Sequence, residues 1–280
     1  MYNIRYHIAS LVSVFLALAL GLVLGGLIVD KTSTGSQNSL VTGLKQEFTT
    51  LRSENSALQE DVSAYGAFSD DMTAKYLSKM LENKTVAILG YNNKAMEIAH
   101  DDVAAMGGKA VLVDIDGTKL DMKNANLKST QMITELMTKL NLTNANDAIA
   151  AALEKEWVIG ETKHPLTDVL SEEGVLDISD FAKFKGVDGV VDTAIDGDKV
   201  SSLGIKIAAA FKVQKRPSLC ASMFHGNSVL ATKGWKQGVT STNMLSTSIG
   251  TYTIGAIMNG AEAGLYGTID AAKDVFPKMN

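Results

Sequence analysis

The chain has a single cysteine and few aromatics (6%) among its 280 residues, and its few basic residues are scattered among acids for a net charge of −5. A lone thiol, Cys220, excludes an intrachain disulfide and any zinc site built from several thiolates. Scattered lysines and arginines exclude nucleic acid as a partner, because neutralising phosphates takes clustered positive charge. With so few aromatics, aliphatic side chains must supply the core. Sequence fingerprints of catalysis are also missing. There is no G-x-G-x-x-G after a strand, no Walker A run and no G-x-S-x-G elbow.

One long hydrophobic run is present. Ile8 to Val29 carries no charge, and at 1.5 Å per residue it reaches about 33 Å, enough to cross a hydrocarbon core. A cleaved leader would be shorter and would end in a small-residue cleavage site. Here Ala17-Leu18-Ala19 sits inside the run, so the segment reads as an uncleaved transmembrane anchor. Ser13, Ala17, Gly21 and Gly25 recur every four residues, and Gly21 to Gly25 is a G-x-x-x-G match of the kind that lets two membrane helices approach. Arg5 and the α-amino group precede the run; Asp30 and Lys31 follow it. The positive-inside rule then sets a cytoplasmic N-terminus, with the bulk of the chain outside the cytoplasm.

A polar stretch, Asp30 to Asn38, reads as a linker. Beyond it, Val41, Leu44, Phe48, Leu51, Asn55, Leu58, Val62 and Tyr65 alternate in steps of three and four, the period of a coiled coil. Asn55 falls at an a position, and Leu44, Leu51 and Leu58 at d. The expectation is a parallel homodimer through this stalk; an amphipathic helix packed on its own domain is the alternative. Gly66 is expected to end the stalk, with a second helix over Asp70 to Leu81.

The remainder reads as α/β. Thr85–Gly90, Ala110–Val113, Val187–Asp192 and Pro217–Ser222 are strand candidates; Lys94–Met106 and roughly Lys199–Phe211 have helical spacing. Ile115 to His164 reads as mostly helical. Strand, helix and strand in this order predict an open, mostly parallel, Rossmann-like sheet with helices on both faces. Gly238 to Thr242 reads as a turn before a Gly-rich helix containing Gly250, Gly255, Gly260 and Gly264, followed by a loose tail after Gly267. The expected organisation is a tail and membrane helix over 1–30, a coiled-coil stalk over 39–66, an extracytoplasmic α/β domain over 70–267 and a C-terminal tail over 268–280.

For chemistry, Cys220-Ala221-Ser222-Met223-Phe224-His225 stands out. Cys220, Met223 and His225 are all ligands that suit Cu(I). The competing reading makes Cys220 a small buried hydrophobe and Met223 a core filler. Asp114-Ile115-Asp116-Gly117 resembles the start of a calcium loop but lacks its downstream ligands, so it reads as a strand end. Asp192, Asp196 and Asp198 read as loop carboxylates. His100 and His164 have no evident partner, and no catalytic set emerges.

Three stretches together resemble one known family. They are Arg5 to Gly25, the coiled-coil segment Leu51-Arg52-Ser53-Glu54-Asn55-Ser56-Ala57-Leu58, and the C-terminal Gly238 to Thr242 with the glycines that follow and Leu265-Tyr266-Gly267. They are similar to the copper transporter MctB family, whose members are also described as SteB-like, partners of SteA in septal envelope assembly. Where the family carries an Asp after its C-terminal turn, Asn243 and Met244 stand here. The resemblance implies a non-enzymatic, membrane-anchored envelope protein tied to copper homeostasis. It also implies, as the alternative, a scaffold that joins the membrane to cell-wall or septal proteins. Copper is the one ligand implied, and the bilayer, a second copy and an envelope or septal protein are the partners.

Overall fold

The fold is taken from a computed structural model. It describes residues 4–29, 34–91, 93–120, 122–158, 163–179, 186–196, 199–200, 202–224, 228–269 and 272–278, with side chains for these except 4–9, 24–29, 34–40, 117, 195–196 and 199–200. The chain divides into two compact units, Met1–Tyr65 and Gly66–Asn280.

The first unit is helical. Helix α1 spans Ile4–Val29 and α2 begins at Thr34. Part of the linker expected over 30–38 is therefore helix. Among the described residues no helix is long and apolar enough to cross a membrane. In α1 the described side chains run from Ser10 to Val23, about 21 Å of helix, which is short of a hydrocarbon core. The crossing expected over Ile8–Val29 therefore has only its helical backbone in the structure. The heptad residues from Val41 to Tyr65 lie on α2 with exposed side chains. Gly66 does not end this helix, and no separate helix starts at Asp70, because α2 continues to Tyr76. A mid-helix glycine costs only about 1 kcal/mol relative to alanine, which the good helix formers around Gly66 absorb.

The second unit is built on a seven-stranded sheet in the order β3-β2-β1-β4-β7-β8-β9. Its strands are β1 (Thr85–Gly90), β2 (Lys109–Ile115), β3 (Leu176–Ile178), β4 (Gly189–Asp192), β7 (Ser218–Met223), β8 (Thr240–Leu245) and β9 (Leu265–Tyr266). All neighbours are parallel except β3, which runs antiparallel to β2 at one edge. A small hairpin, β5 (Ile195–Asp196) with β6 (Lys199–Val200), lies apart from the sheet. The α/β class and the largely parallel sheet agree with the sequence reading.

Helices cover both faces. On one face the core gathers Ala87, Leu89, Val113 and Val190 of the sheet with Ile149 and Leu153 of α5 (Ala145–Glu156), Ile207 of α7 (Ser202–Val213) and Leu230 of α8 (Val229–Lys236). The helices α4 (Lys128–Leu140) and α6 (Pro165–Glu172) contribute Ile133 and Leu166 to the same cluster. On the opposite face Val86, Ile88, Val191 and Leu219 meet Ala99 and Val103 of α3 (Lys94–Ala105) and Ile254 of α9 (Ser248–Met258). This split follows from the period-2 alternation of side chains along each strand. Trp157 anchors the first layer: it is fully buried and its Nε1 donates to Thr167 Oγ1 at 3.0 Å. Beside it the Glu156 carboxylate accepts from the first amides of α6, Leu166 N at 2.8 Å and Thr167 N at 2.9 Å, capping a helix end that would otherwise hold orphan donors.

Two further expectations are corrected. Gly238 to Thr242 is not a turn before a helix: Thr240 to Leu245 is a buried interior strand, β8. Its side chains find partners: Ser241 Oγ donates to Val239 O at 3.0 Å and Thr242 Oγ1 accepts from Met244 N at 3.2 Å, which lowers the cost of burying the polar run. The described residues after Gly267 are tied to the domain rather than forming a loose tail. Gly267 N donates to Asp274 O and Lys273 N to Leu265 O, extending the β9 edge, and Phe276 stacks edge-on against Tyr252 at 5.9 Å. The Gly-rich helix is present as α9 but ends at Met258, so it holds Gly250 and Gly255 while Gly260 and Gly264 lie beyond it. Gly255 lies where a Cβ would strike the Met80 and Met106 sulfurs, so the helix approaches its neighbours as closely as its glycine permits.

Candidate functional site at the switch point of the sheet

Strand order reverses between β1 and β4: β2 lies on one side of β1, while β4, β7 and β8 follow on the other. In open α/β sheets the crevice at the carboxyl ends of two such strands is where ligands bind. Among the described residues around these strand ends, several polar groups are already bonded within the chain. Asn93 caps α3 by accepting from Met96 N at 3.0 Å, which uses an amide that could otherwise face an anion. A Cβ on Gly90, the last residue of β1, would lie 2.7 Å from Met96 Sδ, so the methionine packs over the turn. Thr193 ties the two strands together: its amide and its Oγ1 both donate to Leu89 O at 2.8 Å.

On the face of the sheet covered by α7 and α8 a row of polar side chains crosses the strands. The register pairs Asp192 of β4 with Cys220 of β7, and Cys220 with Ser241 of β8. All three are buried. Asp192 Oδ1 accepts from Ala194 N at 3.0 Å, and Cys220 Sγ lies 3.8 Å from Asp192 Oδ2. Helix α7 crosses directly above at Gly204, where a Cβ would sit 2.5 Å from Asp192 Oδ1, and α8 crosses at Gly234 against Cys220 Sγ and Ser241 Oγ. Glycine at these two points lets the helices seal the row. Burial lifts the Asp192 carboxyl from 3.8 to about 7, its hydrogen bonds pulling the other way. Burial, and then the neighbouring Asp192 charge, pushes the Cys220 thiol well above its usual value. The pair is therefore an acid that keeps its proton to near neutrality beside a thiol that stays protonated, which is poor material for a nucleophile or a soft metal ligand.

A half-buried acid lies on the other face. Thr251 Oγ1 of α9 donates to Asp102 Oδ1 of α3 at 2.8 Å, while Asp102 Oδ2 has no partner. Burial raises this carboxyl to about 6.

The sequence-derived metal candidates are not brought together. Cys220 belongs to the core layer of α5, α7 and α8, whereas Met223 packs against the opposite layer with α3 and α9. Three steps along a strand turn a side chain to the other face. His225 lies outside the described residues. Among the described residues no group of three or more His, Cys, Asp or Glu side chains could hold a metal ion. The other candidates are local. Asp116 accepts from Thr118 N at 3.1 Å in a turn after β2, and His100 Nδ1 lies 3.1 Å from its neighbour Asp101. His164 precedes α6. Asp196 stands in β5, and Asp198 lies outside the described residues. Leu44, Leu51, Asn55 and Leu58 are all exposed on α2.

Sequence reasoning placed Asp192 in a loop and passed over Asp102 and Ser241. The signal for Asp192 was available: it stands two residues after Val190, on the same inward face of β4. Asn243 also gains a reason. Its Nδ2 donates to Thr268 Oγ1 and its Oδ1 accepts from Thr268 N, both at 3.0 Å. An amide supplies both the donor and the acceptor, where an ionised carboxylate at this position could only accept.

This chain's sequence is similar to known proteins over both its ends and its middle. Residues 1–277 match the family described as "Copper transport outer membrane protein, MctB". The copper transporters MctB of Mycobacterium tuberculosis (strain H37Rv) and Mycobacterium bovis are each 32% identical to it over 106 residues, which is 38% of this chain and 32% of the relative. The alignment thus spans about a third of the length of the curated relatives. With a family match over almost its whole length, this chain belongs to the MctB family.

Proposed function

We propose that this chain is a non-enzymatic, membrane-anchored envelope protein with a role in copper homeostasis. Family membership supports the copper role, because its curated relatives are named copper transporters. The lack of any catalytic fingerprint in the sequence supports the non-enzymatic reading. The anchor is α1: the uncharged run Ile8–Val29 suits a single crossing, and Arg5 before it sets the N-terminus in the cytoplasm and the α/β unit outside. One helix per chain cannot enclose a pore, so transport requires assembly with further subunits or another protein.

Deleting the gene tests the copper role. Copper-sensitive growth, restored by the intact chain, is the expected outcome; wild-type copper tolerance overturns it. A reporter fused after Asn280 tests the topology, with activity expected only outside the cytoplasm. A second reading, a scaffold for cell-wall or septal proteins, is favoured by the exposed apolar residues along α2. Envelope or division defects without copper sensitivity in the deletion strain are its signature.

A further inference from the structure

Helix α2 carries a row of large apolar side chains that nothing in its unit covers. Val41, Leu44, Leu51 and Leu58 are each 63–64% exposed, and Phe48 and Tyr65 are 75% exposed. Stranded in water, such a row is unfavourable by the transfer cost of each side chain, so it marks a surface made for a partner. Its period names the partner's shape. Steps of three and four place these residues at the a and d positions of a heptad, which fits another helix of the same repeat.

We propose that the partner is a second copy of this chain, paired parallel and in register along Val41–Tyr65. The proposal stands apart from the copper reading and would survive its failure. Charge carries the argument. In this heptad frame the g positions are Glu47, Glu54 and Asp61, all acidic, and the e positions are Lys45, Arg52 and Gln59, none acidic. A parallel in-register pair sets each g beside the e of the next heptad on its partner, so Glu47 faces Arg52 and Glu54 faces Gln59. An antiparallel pair sets g against g, acid facing acid. A different helix would need its own complementary pattern, whereas this one complements itself. Shape agrees. A shallow hollow on α2 is lined by Phe48, Leu51, Arg52 and Asn55. These are the a, d, e and a positions, the four-residue hole that takes a d-position knob of a parallel partner. Leu51 of the second copy is that knob. Asn55 then meets its own counterpart across the axis, where an amide bonds to an amide only in register.

Cysteine cross-linking in the full-length, membrane-embedded chain tests the arrangement, since its native Cys220 is buried and unreactive. Leu44→Cys and Tyr65→Cys, expressed separately, should each give a disulfide-linked dimer under mild oxidant. Ser53→Cys, on the outer face, should give little. Cross-linking only when Leu44→Cys and Tyr65→Cys are mixed would show antiparallel pairing and overturn the proposal; so would equal cross-linking at Ser53, or none anywhere. Charge swapping gives a second readout. Arg52→Glu should lower the Leu44→Cys dimer yield at least threefold, and adding Glu47→Arg should restore it. A yield indifferent to both changes removes the e–g pairing and with it the case for a second copy.

Discussion

Compare the α2 heptad with strand β8. Leu44, Leu51 and Leu58 are apolar and exposed; Thr240, Ser241, Thr242 and Asn243 are polar and buried. Composition alone would assign them the other way round. The difference lies in what each segment has beside it. Strand β8 is flanked by β7 and β9 and has partners for its backbone and its hydroxyls. Helix α2 satisfies its own backbone and lacks only an apolar neighbour. A polar side chain enters a core when its hydrogen bonds are made there, and the apolar row of α2 stays outside because nothing in its unit packs on it.

The comparison breaks most severely at Trp157. Trp157→Ala removes the largest buried side chain and leaves the Thr167 hydroxyl without its indole donor. A loss of about 4 kcal/mol in chemical denaturation is expected. A loss below about 1 kcal/mol would mean that the layer of α5 and α6 is not the cooperative core described here.

Acidity should act next. Asp192 and Asp102 hold their protons in the folded state to about 7 and about 6, against 3.8 for both in the unfolded chain. The folded state therefore binds more protons between those values, and its stability must fall as pH rises. Stability should be greatest near pH 4, decline up to about pH 7 and then level off. The decline is on the order of a few kcal/mol in total. Asp192→Asn should flatten the upper part of the curve in urea titrations run across that range. An unchanged slope would show that Asp192 is hydrated rather than sealed.

Thr251→Val is a smaller probe. It deletes the donor to Asp102 and should cost about 1–2 kcal/mol, with the loss growing above pH 6 as the unpaired carboxylate ionises. Smallest of all, Leu58→Ala should leave unfolding of the α/β unit within about 0.5 kcal/mol of wild type. Cys220→Ser should leave Cu(I) titrations of the purified chain unchanged, because Cys220 and Met223 lie in different layers. Loss of copper binding in that variant would place a metal on this thiol after all.

Much of the fold was legible. β1, β2 and β4 were readable as short runs rich in β-branched residues, β7 as a short apolar run after Pro217, and α3 from its helical period. The candidate site was less so. Asp192 reads as a turn acid because charged residues at strand ends are usually solvated; only the arrival of Gly204 above it makes it interior. Strand β8 was hidden because Thr-Ser-Thr-Asn is also turn chemistry, and nothing local shows that β7 and β9 will flank it. The continuation of α2 past Gly66 was missed by giving glycine more weight than its cost of about 1 kcal/mol supports.

The sequence by itself determined the α/β class, the apolar run of α1 and the helical spacing of apolar residues along α2, because each is a pattern written in neighbouring residues. Tertiary structure alone decided that Cys220 and Met223 face opposite layers and that Asp192, Cys220 and Ser241 form one sealed row. Those facts depend on which strands become neighbours and which glycines let a helix approach. Contacts between residues far apart in the chain settle such questions, and short-range pattern carries no record of them.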